Sequence, residues 1–256
     1  MNNLRYLAII PARYASTRFP GKPLVVIEGK SMIQRVYERV SSEIKDVYVA
    51  TDDERIAAEV SGFGGKFVMT NANHASGTDR CYEALTKIDG DFDVVINVQG
   101  DEPFIHTEQL RLIKRCFDDE NTDIATLVKP FSPDDIVDNL STPNTPKVVI
   151  DKNQYAMYFS RSVIPYRRGV DRHLWLQSHT YYKHIGMYAY KVPVLQSITK
   201  LEQSSLEIAE SLEQLRWLEN GYRIKVAITE HETMGIDTPA DVDKAVNFLK
   251  KQAKEA

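Results

Sequence analysis

Short apolar runs rich in β-branched residues alternate with longer segments of helical period through the first part of the chain. The apolar runs cover 5–11, 46–51, 65–69 and 93–99, and the helical segments between them cover 31–42, 52–65 and 77–88. Strands joined by helical crossovers form parallel sheets. The sequence therefore predicts an α/β protein with a doubly wound, mostly parallel sheet.

Beyond residue 120 the pattern changes to strands that follow one another closely. Further strands are predicted at 124–131, 146–151, 154–161, 183–191 and 223–229, with an irregular stretch at 162–183 and helices at 204–221 and from 238 onward. A tight turn at 151–153 joins two of these strands, which favours an antiparallel portion. We expect a single domain over 1–256, in which 1–120 and 220–256 form the core and 121–219 forms an embedded antiparallel part.

Composition narrows the class of protein. Hydrophobic residues make up 43% of the chain and charged residues 27%, with a net charge of −4. This balance favours a folded protein and argues against nucleic acid or an anionic membrane as a partner. Cys81 and Cys116 fall in helical segments without zinc or disulfide spacing, so both are expected to be reduced core thiols. The N-terminal run is too short for a signal peptide or a membrane span, and we expect a cytoplasmic protein.

Three cations share the loop that follows the first predicted strand. Arg13, Arg18 and Lys22 lie beside Ser16 and Gly21, without the spacing of a Walker A loop. Guanidinium groups, an ammonium group and loop N–H groups together suit a polyphosphate. The alternative is a solvated basic loop.

A helix start follows the third strand. Ser76, Gly77 and Thr78 open the helix, and Arg80 lies in its first turn. Free N–H groups at a helix start can bind an anion or a base edge. The alternative is that Ser76 is a plain N-cap.

Carboxylates follow two other strands. Asp101 and Glu102 end the fourth strand after a glycine, and Asp237 stands before Thr-Pro near the C-terminus. Carboxylates together with substrate phosphates are suited to Mg²⁺. The alternatives are an ordinary turn acid at 101 and a helix entry at 237.

Two other kinds of site lack support in the sequence. No pair among His74, His179 and His184 has the i, i+4 spacing that zinc-binding helices use, and no cysteine accompanies them. No G-x-S-x-G elbow or other nucleophile signature is present, so covalent catalysis is not expected.

Seven segments together resemble one enzyme family. They are IIPARYASTRFPGKPL, HASGTDR, NVQGDEP, YFSRSVIP, HIGMYAY, LEQLRWLENG and GIDTPADV, and they run nearly end to end. In this set and order the chain resembles the CMP-Kdo synthetases, or 3-deoxy-D-manno-octulosonate cytidylyltransferases, of lipopolysaccharide precursor synthesis. The resemblance implies a Rossmann-like fold of nucleotidyltransferase type, with Mg²⁺ as cofactor and CTP and Kdo as substrates. It also implies that the anomeric hydroxyl of Kdo attacks the α-phosphorus of CTP, so that pyrophosphate leaves and CMP-Kdo forms.

The resemblance also assigns roles to residues. Nucleotide binding is assigned to Ala12, Arg13, Ser16, Arg18, Lys22, His74, Ser76, Gly77, Arg80 and Asp101. The metal is assigned to Asp101 and Asp237, and catalysis to these two residues with Arg18 and Lys22. Sugar binding is assigned to Gln99, Arg161, His184, Tyr188, Glu210 and Gln214. Accordingly, 1–120 and 220–256 would bind the nucleotide, and 121–219 would serve sugar binding and dimerisation.

Three further points stay open in the sequence. Asn73 precedes His74 where members of the family often carry aspartate, which leaves the role of that residue unassigned. The family forms homodimers, and we expect the interface at 162–183 and HIGMYAY, with core packing as the alternative for those apolar residues. Rival functions are a cytidylyltransferase for 8-amino-Kdo or sialic acid, and a non-catalytic nucleotide-binding module.

Overall fold

The computed structural model describes residues 4–15, 19–231, 235–236 and 238–255, with side chains up to residue 247. The strands in this part of the chain are β1 (Tyr6–Ala12), β2 (Val26–Ile27), β3 (Lys30–Ser31), β4 (Asp46–Thr51), β5 (Phe67–Met69), β6 (Val94–Asn97), β7 (Ile124–Pro130), β8 (Lys147–Ile150), β9 (Ala156–Ser160), β10 (Tyr182–Lys191) and β11 (Ile224–Ile228). The α-helices are α1 (Met32–Ser41), α2 (Glu54–Gly62), α3 (Gly77–Lys87), α4 (Thr107–Arg115), α5 (Val137–Ser141), α6 (Trp175–Ser178), α7 (Val192–Ile198), α8 (Ser205–Glu210), α9 (Gln214–Glu219) and α10 (Pro239–Glu255). None of the helices in these ranges is both long enough and apolar enough to cross a membrane.

Contacts divide the chain into two compact units. The first unit holds the described residues up to 110 together with those after 232, and the second holds 111–231. The boundaries expected from the sequence were 120 and 220. Both boundaries differ from the expected ones, and the C-terminal boundary lies later in the chain because β11 pairs in parallel with β7 and so belongs with the second unit.

The first unit contains a parallel sheet in the order β6-β1-β4-β5, as the alternating pattern predicts. The register places Leu7 opposite Asp46 on one side of β1 and opposite Val95 on the other. The run from Leu7 to Ile10 is fully buried. Continuous burial is expected for a strand that is covered on both faces of a parallel sheet.

The helices α1 and α3 begin where the sequence predicts a helix. Ser31 caps α1, because its hydroxyl accepts a hydrogen bond from the amide of Gln34. Ser76 caps α3 in a reciprocal capping box, with its hydroxyl bonded to the amide of Asp79 and the Asp79 carboxylate bonded back to the amide of Ser76. Such boxes satisfy two of the free N–H groups of a helix start.

The second unit contains the predicted antiparallel portion. β10 runs antiparallel to both β7 and β8, and β8 and β9 form an antiparallel hairpin. The carboxylate of Asp151 accepts hydrogen bonds from the amides of Asn153 and Tyr155, which closes the predicted turn. Gln154 adopts the left-handed conformation within it, with φ of 60°.

The single helix predicted at 204–221 is wrong. α8 ends at Glu210, its C-cap residue Ser211 adopts the left-handed conformation with φ of 51°, and α9 begins at Gln214. The side chain of Arg161 donates to the backbone carbonyls of Glu210 and Ser211, so these carbonyls are satisfied without a continuing helix. Glu210 and Gln214 therefore do not share one face of a single helix.

Candidate active site

The predicted site loops of the first unit follow the carboxyl ends of its parallel strands. β1 and β6 are parallel neighbours, so the loops that follow Ala12 and Asn97 start at the same edge. Ligands of open α/β sheets bind at this edge. Ala12 itself is buried at the end of β1.

Arg13 connects the first loop to the loop before α3. Its Nη2 donates to the backbone carbonyl of His74 over 3.0 Å. The His74 ring in turn hydrogen-bonds Glu83. Burial disfavours the ionised form of Glu83, but hydrogen bonds from Lys87, the amide of Asn71 and His74 outweigh it and lower the pKa of Glu83 to about 2. Arg13, His74 and Glu83 therefore hold two of the predicted nucleotide-binding loops together.

Arg80 is fully buried, which the sequence did not predict. Its Nη1 lies 3.0 Å from Asp52 and donates to the hydroxyl of Thr70 over 2.6 Å. Burial lowers the pKa of the Arg80 guanidinium, and the nearby Asp52 opposes this effect. A cation in the first turn of a helix opposes the helix dipole. The pairing with Asp52 compensates for that unfavourable position.

Asp101 and Lys22 form an ion pair. The Lys22 Nζ donates to the Asp101 carboxylate over 2.7 Å, and the two side chains are 15% and 32% exposed. Gly100 sets the position of Asp101, because a Cβ atom at 100 would lie 2.8 Å from the backbone oxygen of Pro11. The predicted phosphate-binding cation and the predicted metal-binding carboxylate are thus in direct contact.

The residues that would hold Mg²⁺ are partly described. The carboxylate of Asp101 is a hard oxygen donor of the kind that Mg²⁺ prefers. The amide of Ile236 donates to the backbone oxygen of Asp101 over 3.0 Å, so the residue next to Asp237 in the chain contacts Asp101. Among the described residues no group of three or more His, Cys, Asp and Glu side chains is arranged to hold a metal ion. Asp237 lies outside the described residues, as do Ser16 and Arg18.

In the second unit Arg161 and Glu210 are locked together. The Glu210 carboxylate accepts from the hydroxyl of Ser160 over 2.6 Å and from the amide of Arg161 over 2.9 Å. The Arg161 guanidinium donates to three backbone carbonyls, those of Glu210, Ser211 and Pro143. Its N–H groups thereby fix the backbone around the predicted sugar-binding residues.

His184 and Tyr188 lie on β10 on either side of a bulge. Their ring centroids are 5.2 Å apart, and Phe159 packs edge-on against His184 at 5.2 Å. Burial lowers the pKa of His184 to about 4 and raises the pKa of Tyr188 well above its ordinary value. Both side chains are therefore neutral near pH 7.

Gln214 opens α9 and is only 5% exposed. Its Nε2 has no hydrogen-bond partner among the residues that the structure describes. A buried amide without a partner is costly unless a ligand or water satisfies it.

Comparison with known proteins identifies the family. A family model described as cytidylyltransferase matches residues 7–225. A 3-deoxy-manno-octulosonate cytidylyltransferase of Bacteroides thetaiotaomicron is 63% identical over 250 residues, which cover 98% of this chain and 100% of that protein. One of Parabacteroides distasonis is 64% identical and covers 96% of this chain and 98% of its own length. This chain belongs to the 3-deoxy-manno-octulosonate cytidylyltransferase family.

A solved structure supports the same family. A CMP:2-keto-3-deoxy-manno-octonic acid synthetase complexed with CTP is 42% identical, with a TM-score of 0.88, and the match covers 97% of this chain and 99% of that one. The predicted fold class, a Rossmann-like and mostly parallel α/β fold of nucleotidyltransferase type, is confirmed. So is the enzyme class, because 3-deoxy-manno-octulosonate cytidylyltransferases are nucleotidyltransferases.

Within this member of the 3-deoxy-manno-octulosonate cytidylyltransferase family, the structure brings several predicted residues together. The contacts Arg13–His74, Lys22–Asp101 and Arg161–Glu210 each join residues far apart in sequence. Ser76 and Gly77 lie at the start of α3, and the backbone oxygen of Gln99 accepts from the amide of Glu102 over 3.4 Å. The roles that the family resemblance assigns to these residues stay predictions.

Sequence reasoning missed the acidic partners of two site residues. Asp52 directly follows β4, so the rule that placed the other loops at the carboxyl ends of strands could have found it. Glu83, the partner of His74, follows it by nine residues across the start of α3, and no local spacing rule joins the two; the sequence shows only its i, i+4 pairing with Lys87.

Proposed function

We propose that this chain transfers CMP from CTP to the anomeric hydroxyl of Kdo, releasing pyrophosphate and forming CMP-Kdo. The observation that carries the proposal is the Lys22–Asp101 ion pair beyond β6. It puts a cation and a carboxylate side by side at the sheet edge where phosphates bind in α/β proteins. The relatives with this name match the chain over nearly its whole length.

The chemistry assigned to Lys22 follows from its charge. Negative charge grows on the pyrophosphate as the bond to the α-phosphorus breaks. A fixed ammonium near that charge stabilises the transition state more than the ground state. Arg13, anchored through His74, would contribute its guanidinium to the same polyanion, and Arg18 is proposed for the same role.

We propose Asp101 and Asp237 as the residues that hold Mg²⁺. When bound, the ion would screen the repulsion between the sugar acid and the triphosphate and lower the pKa of the attacking hydroxyl. The contact between Ile236 and Asp101 supports this pairing, because it brings the chain next to Asp237 against Asp101.

The second unit is proposed to bind the sugar acid. Kdo carries a carboxylate and several hydroxyl groups, which require donors and acceptors at fixed positions. Gln214 offers a buried donor without a partner among the described residues, and Glu210 is held by Ser160 and Arg161. Gln99 is proposed to complete the set. The N–H groups of Arg161 already serve backbone carbonyls, so its contribution to sugar binding is proposed to be mainly positional.

Assembly and cellular role are proposed on the family resemblance. We propose a homodimer whose interface includes 162–183, where Tyr166 is 75% exposed. HIGMYAY is less suited to an interface, because most of its residues are buried within the chain. A product such as CMP-Kdo would supply lipopolysaccharide synthesis, and the use of CTP would place the reaction in the cytoplasm.

The test measures pyrophosphate release from CTP and Mg²⁺, with and without Kdo, for the unsubstituted protein and Asp101→Ala. We expect Kdo-dependent release that falls by at least roughly a hundredfold in Asp101→Ala, because one charge-stabilising contact is typically worth this much. Asp91→Ala is the matched control, since this exposed carboxylate precedes β6 at its other end.

Three outcomes would contradict the proposal. Near-normal CMP-Kdo synthesis by Asp101→Ala would remove the assigned role of the carboxylate. Release that requires sialic acid or 8-amino-Kdo instead of Kdo would change the substrate. Absence of release with every sugar acid, while CTP still binds, would favour a non-catalytic nucleotide-binding module.

A further inference from the structure

Thr126, in the middle of β7, lies against the bulge of β10. Pairing of the two strands shifts register between Ile185 and Tyr188. Thr126 is fully buried, and its Oγ1 lies 2.9 Å from the backbone oxygen of Met187 and 3.3 Å from that of Ile185. The same oxygen lies 3.0 Å from Nε2 of His184. One hydroxyl group thus meets two carbonyl oxygens and one ring nitrogen, and it also interacts with the hydroxyl of Tyr188, which a second lone pair of Thr126 can serve.

The number of protons decides the direction of these hydrogen bonds. A threonine hydroxyl has one proton to donate and two lone pairs that accept, whereas a carbonyl oxygen can only accept. Two oxygens at 2.9 Å require a proton between them, and only Thr126 can supply it to Met187. The contact with His184 must then run the other way, so Nε2 of His184 donates to Thr126.

This assignment fixes the other ring nitrogen. Burial lowers the pKa of His184 to about 4, so the ring is neutral near pH 7 and carries one proton. With that proton on Nε2, Nδ1 holds a lone pair. No residue that the structure describes makes a hydrogen bond to Nδ1, while edge contact with Phe159 fixes the ring.

We infer that Thr126 is a positioning residue that holds His184 in the Nε2–H tautomer, so that Nδ1 accepts a hydrogen bond from a hydroxyl group of the sugar acid. The inference rests on the proposed function for the identity of this hydroxyl-bearing ligand. His184 orients the hydroxyl group and does not remove its proton, because an imidazole with so low a pKa is too weak a base for that step near neutral pH.

Two substitutions separate this role from simple packing. Thr126→Val keeps the shape of the side chain and removes the hydroxyl, and Thr126→Ser keeps the hydroxyl. Thr122→Val is the matched control, because Thr122 is equally buried in the same unit and donates to the backbone oxygen of Cys116 over 2.7 Å. Thr122→Val should lower stability by a similar amount without affecting sugar binding.

The primary measurement is the tautomer of His184 in the free protein. Long-range ¹⁵N–¹H correlation spectra of ¹⁵N-histidine-labelled protein distinguish the protonated from the bare ring nitrogen, and His184→Asn assigns the signal. We expect a protonated Nε2 and a bare Nδ1 in the unsubstituted protein and in Thr126→Ser. Thr126→Val should lose this preference.

The second measurement is steady-state kinetics. Losing the oriented acceptor should raise KM for Kdo roughly three- to tenfold in Thr126→Val, the range of one hydrogen bond, and leave KM for CTP unchanged. Thr126→Ser should restore the KM for Kdo.

A proton on Nδ1 in the unsubstituted protein would overturn the inference, as would an unchanged tautomer and KM in folded Thr126→Val. If Thr126→Val does not fold, the tautomers of the unsubstituted protein and of Thr126→Ser decide. Because the tautomer is read without substrate, its outcome is independent of whether Kdo proves to be the substrate.

Discussion

The two helices that carry Glu210 and Gln214 are joined by a buried ion pair whose removal should be costly. Arg216 of α9 donates from Nε and Nη2 to the two carboxylate oxygens of Glu207 in α8, each over 2.8 Å. A third donor, Nη1, bonds the backbone oxygen of Leu201 over 3.0 Å. Arg216 and Glu207 are 9% and 5% exposed. The perturbation we choose is Arg216→Met, which keeps most of the aliphatic volume.

The expected cost follows from what remains around Glu207. Breaking a buried pair by removing one partner costs roughly 3–5 kcal/mol, because the other charge stays buried. Glu207 keeps two longer contacts, from the amide of Ser204 at 3.3 Å and from Nε2 of Gln203 at 3.4 Å. We therefore expect Arg216→Met to lower the free energy of unfolding by about 3 kcal/mol, the lower end of this range.

Urea unfolding of four proteins tests this value: the unsubstituted chain, Arg216→Met, Glu207→Gln and the double variant. The double variant should lose less than the sum of the single variants, since no buried charge is left without its partner. Lys30→Met is the control, because Lys30 and Glu38 lie 2.5 Å apart but are 45% and 43% exposed. This exposed pair should contribute at most about 1 kcal/mol. Equal losses for Arg216→Met and Lys30→Met would refute the argument from burial.

Two further predictions concern the first unit. Gly100→Ala should lower kcat/KM by roughly a hundredfold, because the added Cβ would clash with the oxygen of Pro11 and displace Asp101. The control is Gly62→Ala, because the space around Gly62 is open. Equal activities of the two variants would contradict the reasoning. Glu83→Gln should lower the urea midpoint at neutral pH. Because folding lowers the pKa of Glu83 from 4.5 to about 2, the gap to the unsubstituted protein should narrow as pH falls through this range. A gap that is constant with pH would show that the charge does not contribute.

Local pattern was sufficient for the four strands of the parallel sheet in the first unit and for the helices α1, α2 and α3, whereas the short strands β2 and β3 and the helix α4 were not predicted. The strand predicted at 46–51 is β4 with the same bounds, and the helix predicted at 31–42 is α1, which Ser31 caps. These features depend on side-chain periodicity and on caps within a few residues, which a single sequence displays. The carboxyl ends of strands likewise pointed to Asp101.

Contacts between distant segments could not be predicted in this way. The break at Ser211 depends on Arg161, which lies 50 residues earlier and donates to the carbonyl of Ser211. Local propensity alone favours a continuous helix there. The contact between Thr126 and His184 depends on the register of β7 and β10 and on a bulge, neither of which is specified by the pattern of either strand.

If Lys22 binds a phosphate and Asp101 a divalent ion, as proposed, the Lys22–Asp101 contact would make the binding of the two ligands interdependent. A phosphate that binds Lys22 would draw it away from Asp101, and a divalent ion that binds Asp101 would draw that carboxylate away from Lys22. Each ligand alone must disrupt the pair, whereas the second to arrive finds its partner already released. When both ligands bind, the ion pair is broken only once, so the free-energy cost of breaking it is counted once and the two ligands would bind with positive cooperativity. By thermodynamic reciprocity, each ligand would strengthen the binding of the other by the same factor.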